Sequence, residues 1–280
     1  MRFFLDAAGS SPVKKLGLPA LSTEDIDRFH RQGFLAIERF TTPEDLARIR
    51  ITLDELYARF RQLPPEPSLD LGDEGRHNGP PQIPEINWTL RLAPRLRGTL
   101  AFARCGALAE QLLRCRALHT GYDHAILKPP HNERATPWHQ DQAYTEDRGP
   151  LCGVHFWIPM HEATVEMGCM HFIPGSHLGE VGPHRRRASA HVMEAESVDT
   201  SAAVACPLPA GGATVHLPRT LHYTGPNMTD QPRLAWSLEF GPPRTRWWRR
   251  SLSACLSRSM TLSAGIISLC RVTRSPEARA

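Results

Sequence analysis

Residues 213–240 read ATVHLPRTLHYTGPNMTDQPRLAWSLEF. Three short apolar runs, 213–217, 219–224 and 233–240, are set apart by proline, glycine and asparagine, which predicts strands joined by turns. The same texture runs upstream through 122–128, 137–143, 151–159 and 168–173. No fixed-period repeat or low-complexity block interrupts it. The expected core over 117–243 is therefore an antiparallel β structure of the sandwich, jelly-roll or barrel kind.

Ahead of it, residues 20–116 read as helical. Ser22 with Asp25 three positions later resembles a capping box, followed by Ile26 and Phe29 at helical spacing. A second start is set by Thr42, Pro43 and Asp45, after which Leu46, Ile49, Leu53, Leu56, Tyr57 and Phe60 form one apolar stripe. Six prolines between 61 and 89 predict a long irregular loop, and 97–115 predict a third helix. The fold class expected is mainly β with N-terminal helices, in one domain over residues 1–243.

Composition narrows the function. The chain has 280 residues, 41% apolar and 22% charged, which is globular usage and excludes wholesale disorder. Its net charge of +4 is unevenly placed, because residues 241–280 hold eight arginines and one glutamate. The body is thus mildly acidic and lacks the basic stripe of a nucleic-acid-binding domain. The triplet Arg185-Arg186-Arg187 reads as a solvated loop. Seven cysteines without a CxxC pair argue against a disulfide framework or structural zinc site. With no signal-peptide pattern in the first ten residues, a reducing, cytoplasmic setting is expected.

Twelve of the fourteen histidines fall within 119–222. His139 and Asp141 stand two apart in a predicted strand, so both side chains are expected on one face. An imidazole and a carboxylate supply two ligands of a 2-His-1-carboxylate triad, which leaves three positions of an octahedral iron(II) open. HxD alone is a weak motif and needs a second histidine on a neighbouring strand. His222 is the candidate. A hairpin closed over 225–232 is expected to bring Arg233 beside Thr224 and His222, with Arg233, Ala235 and Ser237 sharing a face. An inward arginine is costly unless paired. A dicarboxylate co-substrate supplies that pair, and Glu239 or Asp141 is the internal alternative.

Taken together, His139-Gln140-Asp141, the segment Met167 to His177 (MGCMHFIPGSH), and His222 to Asn227 followed by Arg233 resemble the phytanoyl-CoA dioxygenase family. The likeness covers about residues 20–240 and includes Gly33 to Ile37 and Lys128-Pro129-Pro130. It implies a double-stranded β-helix and an Fe(II)- and 2-oxoglutarate-dependent dioxygenase that uses O2. By position it implies His139, Asp141 and His222 as iron ligands and Arg233 as the anchor of the distal carboxylate of 2-oxoglutarate. Thr224 would assist Arg233, and Lys128 and Trp157 would line the co-substrate site. His171 and His177 would shape a turn, while His124, His155 and His161 would border the site. Relatives that halogenate replace the carboxylate with a small residue, so Asp141 implies hydroxylation, with succinate and carbon dioxide released. A non-redox cupin and an inactive jelly-roll binding module stay open as alternatives.

The implied substrate is a small molecule or acyl compound, with 61–89 and 178–200 as expected lids. Residues 244–280 depart from the family ending. Their Arg244 to Arg250 stretch (RTRWWRR) allows a surface extension, a membrane or partner contact, or a foreign segment that packs poorly. The uncharged span from Ser259 to Cys270 is too short to cross a bilayer. Oligomeric state is left open by the sequence.

Overall fold

The computed structural model describes residues 17, 20–72, 80–148, 152–186 and 192–242. The expectations for the 244–280 tail lie outside the described residues. Helix α1 (Thr23–Gln32) starts at the expected capping box: Asp25 N–H donates to Ser22 Oγ, and Ser22 N–H donates back to the Asp25 carboxylate. It stops at Gly33, whose φ of 89° is left-handed. A Cβ there would run into the His177 ring and the Thr220 hydroxyl.

Helix α2 (Pro43–Ala58) takes Thr42 as N-cap and buries Leu46, Ile49, Leu53 and Leu56. Asp45 does more than expected of it. Its carboxylate accepts from the backbone N–H groups of Leu100 and Ala101, both at 2.9 Å, and so caps helix α3 (Leu100–Leu113) from outside.

The described residues include thirteen strands, numbered in chain order: β1 (Phe34–Ile37), β2 (Ser68–Asp70), β3 (Pro84–Asn87), β4 (Leu118–Lys128), β5 (Thr136–His139), β6 (Val154–Pro159), β7 (Met170–Phe172), β8 (His184–Arg186), β9 (Met193–Ala195), β10 (Val204–Cys206), β11 (Ala213–His216), β12 (His222–Thr224) and β13 (Arg233–Gly241). They form a seven-stranded sheet in the order β1-β11-β6-β13-β4-β3-β2, a four-stranded sheet β10-β7-β12-β5, and a β8–β9 hairpin. All pairs are antiparallel. This is the jelly-roll, double-stranded β-helix expected from sequence.

Strand β13 divides two cores by its period of two. Leu234, Trp236, Leu238 and Phe240 join the helices in one cluster. Arg233, Ala235, Ser237 and Glu239 face the other way, and Ala235 packs there with Phe34, Trp157, Cys169, Met170 and Phe172 from both sheets. The concave side of the large sheet is thus apolar in the middle and polar toward the ends of β13.

Two expectations need correction. The 61–89 segment is not one irregular loop, because β2 and β3 lie in it and β3 pairs with β4. Pro84 is the first residue of its strand, where the missing N–H is tolerated. Residues 225–232 do not close a hairpin either: β12 belongs to the small sheet, and β13 pairs with β4 and β6 in the large one. Asn227 sets this crossing, since its side-chain amide donates to the carbonyls of Lys128, Pro129 and Gln231. Within 178–200, the described residues include the β8–β9 hairpin.

Candidate active site

His139 and His222 are direct partners in the β5–β12 pairing, and their ring centroids lie 4.1 Å apart. The second histidine is thus on the neighbouring strand. Asp141 is not in the strand. β5 ends at His139, and Asp141 begins a 3-10 turn that runs to Arg148. Gln140 bends the chain at this point. Its N–H donates to His184 Nε2, its side-chain amide donates to the Arg219 carbonyl, and its Oε1 accepts from Gly182 N–H. The turn swings the carboxylate back, so that Asp141 Oδ1 lies 3.5 Å from both His139 Nε2 and His222 Nε2.

The tautomers of the two imidazoles are set from behind. His139 Nδ1 lies 2.8 Å from the Pro137 carbonyl, and His222 Nδ1 lies 2.9 Å from that of Thr220. A carbonyl only accepts, so each Nδ1 carries the proton and each Nε2 lone pair points at the shared space with Asp141 Oδ1. Burial, with His139 adding to it, pushes His222 well below its ordinary range, so that it is a free base at neutral pH.

Two further histidines hold the other carboxylate oxygen. His155 Nδ1 is 2.8 Å and His216 Nε2 is 3.0 Å from Asp141 Oδ2. Four imidazoles thus surround one carboxylate. Burial alone would raise the Asp141 carboxyl, but His222 and His155 outweigh it and hold it well below the usual carboxylate range. Burial would lower His155, yet the Asp141 charge drives it up to about 9.

Asp141, His155 and His216 also lie close enough together to hold a metal ion. They lack the backing of the first set, because His216 Nδ1 and His155 Nε2 are buried without a hydrogen-bond partner. His155 stood among the bordering residues in the sequence. His216 was missed, although Thr214 and His216 alternate along β11 with their register partners Trp157 and His155.

Arg233 is 1% exposed, and no carboxylate pairs with it among the described residues. Neither Glu239 nor Asp141, the internal alternatives, takes that place. Its guanidinium lies 5.5 Å from the centre of the Trp157 ring, and its Nε has no partner. Burial lowers it to about 10. A cation–π contact is worth about 2 kcal/mol or somewhat more when desolvated, while an unpaired buried charge costs several. The imbalance marks a place for an anion.

Lys128 faces Arg233 across β4–β13. Its ammonium is fully buried and donates to Thr224 Oγ1, the Thr224 carbonyl and the Gly225 carbonyl at 2.6–3.0 Å. It therefore reaches across the two sheets to hold Thr224. Gly168, at φ 76°, packs against the Gly225 carbonyl from the other side, where a Cβ has no room. His177 Nε2 meets the His30 carbonyl at 2.9 Å and lies away from the triad. Two surface cavities, of about 740 Å³ beside Pro80, Pro81, Pro129 and Pro130 and of about 210 Å³ beside Trp138 and Tyr223, are lined by none of the triad residues.

A jelly roll that gathers two histidines, a carboxylate and an unpaired arginine between its sheets defines the class of non-haem oxygenases. The chain belongs to the phytanoyl-CoA dioxygenase family, whose profile matches residues 29–235. It is 26% identical over 265 residues to the bovine (Bos taurus) phytanoyl-CoA dioxygenase domain-containing protein 1, covering 79% of this chain and 90% of that one. It is 35% identical to EvdO2 from Micromonospora carbonacea var. aurantiaca, solved in complex with 2-oxoglutarate, with a TM-score of 0.68 over 80% of this chain and 92% of that one. The epimerase SnoN, solved with Fe3+, alpha ketoglutarate and nogalamycin RO, shares the fold at 24% identity, with a TM-score of 0.62 over 78% and 82%. Among the described residues no helix is long and apolar enough to cross a membrane.

Proposed function

We propose that the protein is an iron(II)- and 2-oxoglutarate-dependent dioxygenase that hydroxylates an aliphatic C–H of a small molecule. The observation that carries this reading is the convergence of two carbonyl-backed Nε2 atoms on Asp141 Oδ1. Two neutral imidazoles and one carboxylate suit a divalent iron and neutralise only part of its charge. The unpartnered Nε of Arg233 fits the far carboxylate of a dicarboxylic acid.

When bound, iron and 2-oxoglutarate supply the oxidising chemistry: O2 is consumed, succinate and carbon dioxide leave, and one oxygen atom enters the substrate. The chain's own residues do the positioning. His139, Asp141 and His222 would hold the metal through two Nε2 atoms and one carboxylate oxygen. His155 and His216 keep Asp141 Oδ2 occupied, so that Oδ1 alone faces the metal side. Arg233 binds the distal carboxylate, and Trp157 closes the space over its guanidinium and keeps water from it. Thr224 offers its hydroxyl to the same carboxylate, and Lys128 fixes Thr224. A single oxygenase domain, assigned to residues 1–243, would carry all of these groups.

The test is an anaerobic titration of metal-free protein with iron(II) and then 2-oxoglutarate, read at the visible metal-to-ligand charge-transfer band. A band that vanishes in His139→Ala and weakens in Arg233→Ala is expected. A folded protein without a band would point instead to a non-catalytic jelly-roll binding module.

A further inference from the structure

The concave face of the large sheet continues past the triad onto β13, β4 and β3, and there its character changes. Register places Ser237 opposite His124, and His124 opposite Asn87. Glu85 shares that face two positions before Asn87 on β3, because the intervening Ile86 packs into the helix-side core. Glu239 lies opposite His155, whose Nε2 is 3.9 Å from its carboxylate. Tyr122 leaves 38% of its surface in solvent while its hydroxyl donates to Asn87 Oδ1 at 3.1 Å. The wall is tied to the triad through His155, which contacts both Glu239 and Asp141.

We propose that the substrate is an uncharged polyhydroxylated molecule, a sugar or glycoside, held along this wall by Glu85, Asn87, Tyr122, His124, Ser237 and Glu239. This rests on the oxygenase reading for the position of the reacting carbon, and the wall itself argues for the class. A fatty-acyl chain calls for a continuous apolar lining, whereas on β13, β4 and β3 this face offers only Ala235, already packed between the sheets, and a single Ile126 set beside Glu85. The phosphates of an acyl-CoA call for arginine or lysine, and the basic groups of this face, Arg233 and Lys128, are buried at the opposite end of β13. A cationic substrate calls for unpaired carboxylates, whereas Glu85 bonds to the His124 ring and Glu239 faces that of His155. What remains is alternating carboxylate, amide, hydroxyl and imidazole, which match groups that both donate and accept. The partly exposed Tyr122 ring, 5.2 Å from that of His124, offers a flat face for the C–H side of a pyranose.

The test is saturation-transfer NMR and calorimetric titration of the full chain with a panel of neutral methyl glycosides and trisaccharides, with palmitoyl-CoA and choline as the contrasting probes. Each probe is run on metal-free protein and on protein loaded with zinc(II) and 2-oxoglutarate, which cannot turn over. At least one glycoside is expected to bind in both states, and Tyr122→Ala and Glu239→Gln to weaken it by about tenfold each. Tyr122→Ala trims an exposed ring, so its fold, checked by circular dichroism, is expected to hold. Binding of palmitoyl-CoA or choline with no glycoside bound overturns the proposal, as does silence across the panel or glycoside binding indifferent to both variants. Failure of zinc or 2-oxoglutarate to bind would instead count against the oxygenase reading, and the metal-free arm would still decide the substrate class.

Discussion

His216 Nε2 lies 3.0 Å from Asp141 Oδ2, the oxygen turned away from the His139–His222 pair. With His155 on the same atom, the carboxylate is held against rotation about its last bond. His216→Ala is therefore expected to weaken metal binding by roughly 10–100-fold, the usual cost of losing a group that orients a ligand. Anaerobic cobalt(II) titration reads this directly from the d–d bands. His216→Gln, which keeps an N–H donor, is expected to recover part of the loss. Unchanged affinity in His216→Ala would leave the orienting role to His155 alone.

Arg233 gives a prediction of opposite signs. Among the described residues no carboxylate pairs with its buried charge, so Arg233→Met removes a desolvation cost at the expense of one contact with Trp157. The metal-free variant is expected to be more stable by about 1–2 kcal/mol. Its thermal midpoint should rise by roughly 2–8 °C for a domain of this size. The same variant should lose 2-oxoglutarate binding. A lowered midpoint in the ligand-free state would mean that the guanidinium is already compensated.

Lys128 behaves the other way. Its ammonium satisfies three buried oxygens on Thr224 and Gly225, and Lys128→Met leaves all three unmatched. A loss of about 3–5 kcal/mol is expected, measured as a shift in the urea midpoint. If Lys128→Met instead keeps its stability and loses only 2-oxoglutarate affinity, the lysine serves the co-substrate directly.

Thiol reactivity follows from burial. Burial and the neighbouring Cys169 lift Cys206 up to about 12, burial raises Cys169, and it raises Cys105 well above the ordinary thiol range. A raised value means less thiolate at any working pH, and thiolate is the reactive form. Iodoacetamide labelling of the native protein at about pH 8, mapped by mass spectrometry, should spare these three relative to Cys115 and Cys152. Adding denaturant should abolish the difference. Fast labelling of Cys206 in the native state would contradict its place in the core.

The residues that announced the fold did so locally. The Ser22 and Thr42 caps, the stripe from Leu46 to Leu56 and the short apolar runs after 118 all act within a few positions, and the structure keeps them apart from the 137–143 run, whose strand ends at His139. What sequence reading missed depended on which sheet a strand joins. The Gly225-Pro226-Asn227 group reads as a turn whether the chain doubles back or crosses over, and only the Asn227 bonds to 128, 129 and 231 settle which. Asp141 similarly reads as strand by its spacing from His139, while the Gln140 contacts that bend the chain come from 182, 184 and 219. His216 carried a faint signal, since inward parity on β11 puts it in line with His155 once the β6 pairing is known. β3 was hidden among prolines, and with it went Glu85 and Asn87.

The candidate site is divided between two separately hydrogen-bonded layers: His139 and His222 belong to the small sheet, Arg233 and Trp157 to the large one. A ligand gripped by both acts as a rivet through the sandwich. Its binding free energy is then added to that of folding, in proportion to how far supply exceeds the dissociation constant. Iron shortage, or a fall in the 2-oxo acid, would accordingly shorten the lifetime of the polypeptide as well as slow its turnover.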